Sequence, residues 1–270
     1  MGGPAPRLSA FVDSNVLVRH LTGDPPDHAI DWRGKEWSPD MEEPAAHPNA
    51  RFTTPAAQDP AIAPDWEDPK GVPVDAILFG GRRASNVPLV TESFDWQHGV
   101  FLGATMSSET TAAAAGKVGT LRFDPFAMLP FCGYNMAEYF EHWLEIGRRG
   151  DTAKLPRIFY VNWFRKDAEG RFLWPGFGEN SRVLEWVFRR CAGDADAHET
   201  PIGLVPAPGD LYTGGLDIPA ADLEEVLTVD PDTLREQLPQ LSEHLARFGD
   251  DLPGELHAQL EALERRLDAS

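Results

Sequence analysis

NWFRKDAEGRFLWPGFGENSR, residues 162–182, decides how the rest of the chain is read. Its phenylalanines, Phe164, Phe172 and Phe177, alternate with Gly, Pro and one amide, Asn180, and their spacing matches neither a helical nor a strand period. A purine base needs flat apolar faces to stack on and a few polar edges to separate guanine from adenine. Three rings beside a carboxamide supply both. The same residues also suit ordinary core rings with Asn180 as a helix cap, and taken alone they leave both readings open.

Immediately upstream, RIFYVNWF (157–164) is a compact apolar run that predicts a buried strand. Downstream, Val183, Leu184, Val187, Phe188 and Cys191 recur on one helical face, giving the strand, loop, helix order of an α/β domain. Met136, Tyr139, Phe140, Trp143 and Leu144 predict a further helix, while VDAILFGG (74–81), VPLVTESF (87–94) and GVFLGATM (99–106) read as sheet strands. SSETTAAAAGKVG (107–119) suits a mobile element or a short Ala helix. Residues 39–73, dense in Pro, Ala, Asp and Glu, predict mostly loop with short strands. From Pro219 onward two or three acidic amphipathic helices are expected to pack on the outside, with Pro219 and Pro231 in first turns and Asp230 as an N-cap. FVDSNVLVRHL (11–21) reads as a buried strand in a separate local unit, and the rest as one domain.

With 270 residues and 42% hydrophobic content, the chain can fill a substantial core. A net charge of -19 opposes binding to nucleic-acid backbones or anionic lipid, so neither a nucleic acid nor a membrane is expected as a partner. A phosphate-bearing small molecule is compatible with it, because such a site needs only a few local cations and oriented amides. Cys132 and Cys191 form no framework and no metal-ligand spacing, and are expected as reduced core thiols. His47 and His98 lack partners at ligand spacing and read as structural histidines. The opening MGGPAPRLSA has no apolar targeting core, and no stretch is long enough to span a bilayer; a cytoplasmic protein is expected.

The segment 162–182, together with EPAAHPNARF (43–52), DWEDPKGVP (65–73), ILFGGRR (77–83), VPLVTESFDWQHGVFLGATM (87–106), SSETTAAAAGKVG and DPFAMLPFCGYNM (124–136), resembles the GTP-dependent phosphoenolpyruvate carboxykinases from Ala29 to the C-terminus. The ATP-dependent enzymes lack the WFRK to WPGFGEN segment. The resemblance implies a mixed-sheet α/β nucleotide-binding domain, incomplete, over residues 29–270, with a helical C-terminal tail and an unrelated segment at 1–28. It implies GTP or GDP held by Phe164, Phe172 and Phe177, with Gly178, Glu179 and Asn180 at the base edge and Arg82 on the nucleotide phosphates; Arg83 is ambiguous. Asn49, Ala50 and Arg51 match the substrate site, with Arg51 bridging the transferred phosphate and oxaloacetate or phosphoenolpyruvate, a role suited to a planar, permanently charged guanidinium. Ala50 stands where a serine is expected. Ser108, Glu109, Thr110, Thr111, Ala112, Ala113, Ala114, Ala115 and Gly116 match a lid over the substrates.

Full-length members convert oxaloacetate and GTP to phosphoenolpyruvate, GDP and carbon dioxide, a gluconeogenic step that uses Mn2+ or Mg2+. No GxxxxGK[ST] occurs in this sequence; Gly116 and Lys117 are followed by Val118. The metal ligands are expected before Ala29, so no metal site is expected here. Little or no catalysis is expected of the chain alone, unless a separate N-terminal carboxykinase piece supplies the missing groups; the alternative is a non-catalytic guanine-nucleotide-binding remnant. Residues 11–26 instead resemble the start of a PIN-domain nuclease, with Asp13 as one metal-binding carboxylate, and one carboxylate does not make that site.

Overall fold

A computed structural model describes residues 29–47, 55–60, 62–109 and 121–270. The chain divides into two units, Met1–Val72 and Pro73–Ser270. The expected strand at 11–21 lies outside the described residues, as does the PIN-like carboxylate Asp13. In the first unit, β1 (Ala29–Ile30) and β2 (Glu36–Trp37) form an antiparallel hairpin. Its turn is held by the Asp31 carboxylate, which accepts from the backbone N–H groups of Arg33 and Lys35. Beyond it the described residues up to 72 are loop with one 3-10 turn, Ala56–Gln58, and the short strands expected after residue 39 are absent among them.

The second unit is built on a five-stranded mixed sheet in the order β3-β7-β4-β9-β8, the α/β class expected. The strands are β3 (Ala76–Gly80), β4 (Val90–Glu92), β7 (Arg157–Val161), β8 (Ala197–Thr200) and β9 (Gly203–Pro206). β3 and β7 run parallel, pairing Ile77 with Ile158 and ending together at Gly80 and Val161; the other neighbours are antiparallel. A separate two-stranded ribbon joins β5 (Ser107–Glu109) to β6 (Leu121–Phe123). Residues 110–120 lie outside the described residues, so only the start of the expected mobile element, residues 107–109, is described.

β7 shows why its sequence is a continuous apolar run: both of its faces are covered. Phe159 and Val161 join Leu89, Trp174, Trp186 and Val226 in one core cluster, beside helix Asn180–Ala192. On the opposite face Ile158 meets the helix Trp96–Ala104 so closely that a Cβ on Gly99 would lie 2.4 Å from Ile158 Cδ1. This helix corrects the strand expected at 99–106. Asp95 starts it as an N-cap, accepting from the His98 backbone N–H at 2.7 Å, and a helix buried on nearly every side has no polar stripe from which a helical period could be read.

The helix Met136–Arg149 and the tail helices Ala220–Leu227, Pro231–Ala246 and Gly254–Asp268 form as expected, and Asp230 caps the second of these tail helices by accepting from Asp232 N–H at 3.0 Å. The tail docks by its apolar stripes, as an outer layer of amphipathic helices must. Leu245, Leu256, Leu263 and Leu267 are buried in a second core cluster with Val100, Phe101, Phe126 and Phe140, so its acidic faces hide apolar stripes that complete the core. Cys132 and Cys191 are free and half-buried rather than core thiols.

His98 is a buried structural histidine stacked on Phe94, and its Nδ1 accepts from the Phe94 backbone N–H at 3.1 Å. Burial, with the Arg266 charge adding to it, pushes its pKa from 6.5 down to about 3. Protonation therefore favours the unfolded chain, and stability is intact above pH 6.5 and is lost as pH falls toward about 3. The limiting slope is about 1.4 kcal/mol per pH unit. Thermal unfolding of His98→Gln is expected to start from a lower Tm at neutral pH but to decline less steeply than wild type down to about pH 4; equal slopes would show that His98 is not linked to folding.

Candidate functional site

A cleft of about 260 Å³ opens at the carboxyl ends of the parallel pair β3 and β7, lined by Gly80, Gly81, Arg82, Ser108, Val161, Trp163 and Phe164. Ligands of α/β sheets commonly bind at this end of parallel strands. The floor is tight: a Cβ on Gly81 would lie 2.5 Å from the Ser107 carbonyl oxygen and 2.7 Å from the Tyr160 hydroxyl. That hydroxyl is buried, which pushes its pKa up to about 12 and keeps it neutral.

Residues 165–173 fold back as a tight hairpin, with Leu173 N–H donating to Arg165 O at 3.0 Å and Asp167 N–H to Arg171 O at 2.9 Å. Lys166 and Phe172 are thereby bridged as antiparallel neighbours. The fold-back accounts for the aromatic spacing that fits no single element: Phe164 and Phe172 meet edge to face, with centroids 6.3 Å apart. Arg82 Cζ lies 5.5 Å over the Phe164 ring and Lys166 Nζ 4.8 Å over the Phe172 ring. Neither cation pairs with a carboxylate among the described residues, so this patch is locally positive in a chain of net charge -19.

Arg83, ambiguous in the sequence, turns into the packing: its guanidinium donates to Ser107 Oγ at 2.6 Å and to Gln237 Oε1 at 3.1 Å, and burial pushes its pKa down. The two described residues of the proposed lid hold the Arg82 loop by its backbone. Ser108 Oγ accepts from Arg82 N–H at 3.0 Å, and Glu109 donates its N–H to Arg82 O at 2.9 Å while its carboxylate accepts from Ala84 N–H at 2.7 Å.

Phe177 stands apart, 88% exposed, with a left-handed φ of 45° and no ring contact among the described residues. It begins the 3-10 turn Phe177–Glu179, in which Gly178 O accepts from Ser181 Oγ at 2.7 Å and Glu179 pairs with Arg182. Asn180 opens the helix that follows, and its Oδ1 accepts from the buried Trp174 indole N–H at 2.9 Å. An indole N–H only donates, so this contact settles which end of the carboxamide is which and leaves the NH2 as a donor. Asn49, Ala50 and Arg51, and lid residues Thr110 to Gly116, lie outside the described residues. The structure adds Gly81, Trp163, Trp174 and Asn162 to the residues that build this region; of these, Asn162 carried a sequence signal, as a lone amide ending an apolar strand run.

The mixed sheet with a ring-flanked, locally basic cleft at its parallel-strand ends defines an α/β domain suited to a nucleotide. Residues 10–266 match the family profile described as "Phosphoenolpyruvate carboxykinase C-terminal P-loop domain". The chain is 52% identical over 255 residues to a phosphoenolpyruvate carboxykinase [GTP] of Renibacterium salmoninarum, covering 94% of this chain and 42% of that protein. It is 52% identical over 256 residues to the protein of the same name from Chlamydia muridarum, covering 94% and 42%, and 51% identical over 261 residues to that of Chlamydia trachomatis, covering 96% and 43%. The chain belongs to the GTP-dependent phosphoenolpyruvate carboxykinase family, and it spans about two fifths of the length of the relatives it matches. Among the described residues no group of three or more histidine, cysteine, aspartate or glutamate side chains is placed to hold a metal ion, so the divalent metal the family implies does not fit them.

Adding a methyl at Gly81 tests the tightness of the floor. Gly81→Ala is expected to destabilise by about 1–3 kcal/mol through overpacking, read from the urea midpoint; an unchanged midpoint would mean that the loop relaxes freely.

Proposed function

We propose that this chain is the guanine-nucleotide-binding part of a GTP-dependent phosphoenolpyruvate carboxykinase. The observation that carries the reading is the Trp174–Asn180 hydrogen bond, which fixes the carboxamide of Asn180. With its oxygen turned to the indole, Asn180 has its orientation set and presents its NH2 donors to a base edge. Guanine carries the O6 acceptor where adenine carries an amino donor, so the arrangement selects guanine. Phe164 and Phe172 supply stacking faces, Phe177 a third ring, Gly178 and Glu179 the adjoining turn, and Arg82 the charge for the nucleotide phosphates.

In the complete enzyme this part serves the reaction oxaloacetate + GTP to phosphoenolpyruvate + GDP + CO2, in cytoplasmic gluconeogenesis, with Mn2+ or Mg2+. Asn49, Ala50 and Arg51 serve the substrate, Arg51 bridging it to the transferred phosphate, and residues 108–116 act as the lid. The P-loop and metal ligands that the reaction needs are supplied by the N-terminal part of the complete enzyme, and residues 29–270 do not turn over without them.

Calorimetric titration of the purified chain with GDP and then ADP tests the nucleotide reading. GDP is expected to bind about tenfold or more tightly than ADP, equivalent to one hydrogen-bonded edge lost; equal affinities in folded protein would overturn the reading. Phe177→Ala is expected to lose about 1–3 kcal/mol of GDP binding through lost stacking. Its Tm should not change, because the ring contacts nothing that folding needs. Trp174→Phe, folded by circular dichroism, is expected to bring GDP and ADP affinities together by freeing the Asn180 amide to turn over.

A further inference from the structure

We infer that Asn162 is the positioning residue of the cleft, holding the Arg82 loop and the Phe164 backbone in one arrangement for the nucleotide; this rests on the guanine-nucleotide reading above. Asn162 follows the last residue of β7, and it is 0% exposed. Its backbone N–H donates to Leu89 O at 3.0 Å, which extends the sheet by one residue. Its side chain then uses its whole hydrogen-bonding capacity on the loops that line the cleft. Nδ2 donates to Arg83 O at 2.9 Å and to Val87 O at 2.9 Å. Oδ1 accepts from Arg83 N–H at 3.2 Å and from Phe164 N–H at 3.3 Å. Carbonyls only accept and amide N–H groups only donate, so the carboxamide has one orientation.

The groups it grips are those beside Arg82 and those of Phe164 itself, the guanidinium and ring that stack 5.5 Å apart in the cleft. On its other side the Arg82 loop is held by Ser108 and Glu109. The loop is thus clamped from two directions, and only the Asn162 side also reaches the ring. No other residue type of this size offers two donors and two acceptor sites in one plane. An aspartate keeps the two accepting contacts but sets lone pairs against Arg83 O and Val87 O, where the buried carbonyls then lack donors.

The test compares wild type, Asn162→Asp and the control Leu256→Ala, which opens a cavity in the other core cluster. Each is assayed below its own unfolding transition. Two quantities are read: amide hydrogen exchange over residues 81–87 and 163–166, and GDP affinity by calorimetry. Asn162→Asp is expected to exchange faster in both segments and to weaken GDP binding about 30-fold, as a misplaced ring and guanidinium should. Leu256→Ala is expected to leave GDP affinity within about twofold, as for independent sites. If Asn162→Asp does not fold, Asn162→Ser, which keeps one donor and one acceptor, is held to the same criteria. GDP affinity preserved in the Asn162 variant, or lost equally in Leu256→Ala, overturns the inference while leaving the nucleotide reading intact. Wild type that does not bind GDP overturns both, and the exchange data then show whether the clamp exists as a structural device only.

Discussion

A carboxylate buried in the middle of the sheet sets the terms for the rest of the second unit. Glu92 lies on β4, the central strand, and it is almost wholly shielded from water. A buried charge is tolerated only if it is paired and hydrogen-bonded. Two guanidiniums meet the demand: Arg157, at the start of β7, through Nη1 at 2.6 Å, and Arg190, near the end of helix Asn180–Ala192, through Nε at 2.6 Å. Arg190 also donates to Ala195 O. One side chain therefore ties β4, β7 and the helix that begins with Asn180. Asn162 closes the opposite end of β7. With a polar anchor before and after its apolar run, the strand cannot slide, and the cleft at its carboxyl end inherits that register.

Elements with a one-sided periodicity could be read from the chain alone. Met136–Arg149, Asn180–Ala192 and the three tail helices each alternate an apolar stripe with a polar one, and β7 is short, apolar and bounded by turns. Trp96–Ala104 could not be read this way, because burial on all sides erases the stripe and its glycines resemble strand breaks. Where the tail helices dock is hidden for a related reason. Acidic residues on the outer faces of the tail helices dominate the composition, while a few leucines per helix carry the packing, and composition does not reveal where a stripe docks. Within the site, the likeness to the carboxykinases singled out Arg82, Phe164 and Phe172; the hairpin brings the two rings together, and the loop after β3 lays Arg82 over Phe164. Trp174 gives no signal in the sequence because it acts by holding another group, and Asn162, a lone amide after an apolar run, shows its place there but not the groups it holds.

The cleft shows how an acidic protein can leave cations without a carboxylate partner. Most arginines in the second unit pair with carboxylates, as Arg148, Arg171 and Arg189 do. Arg82 and Lys166 lie over aromatic faces instead, where a cation is held by the ring quadrupole without being neutralised. Their charge stays available to a phosphate, and the surrounding negative field adds a penalty against anions that lack a base to stack.

If Asn180 reads the base edge as proposed, its bond to Trp174 makes fidelity a property of the core. The orientation of a surface carboxamide is ordinarily a matter of a weak torsional preference, but here it is held by a ring that is itself packed among Leu89, Phe159 and Val183. On that reading, whatever loosens this packing, whether warmth, denaturant or a distant cavity, loosens the choice between bases with it.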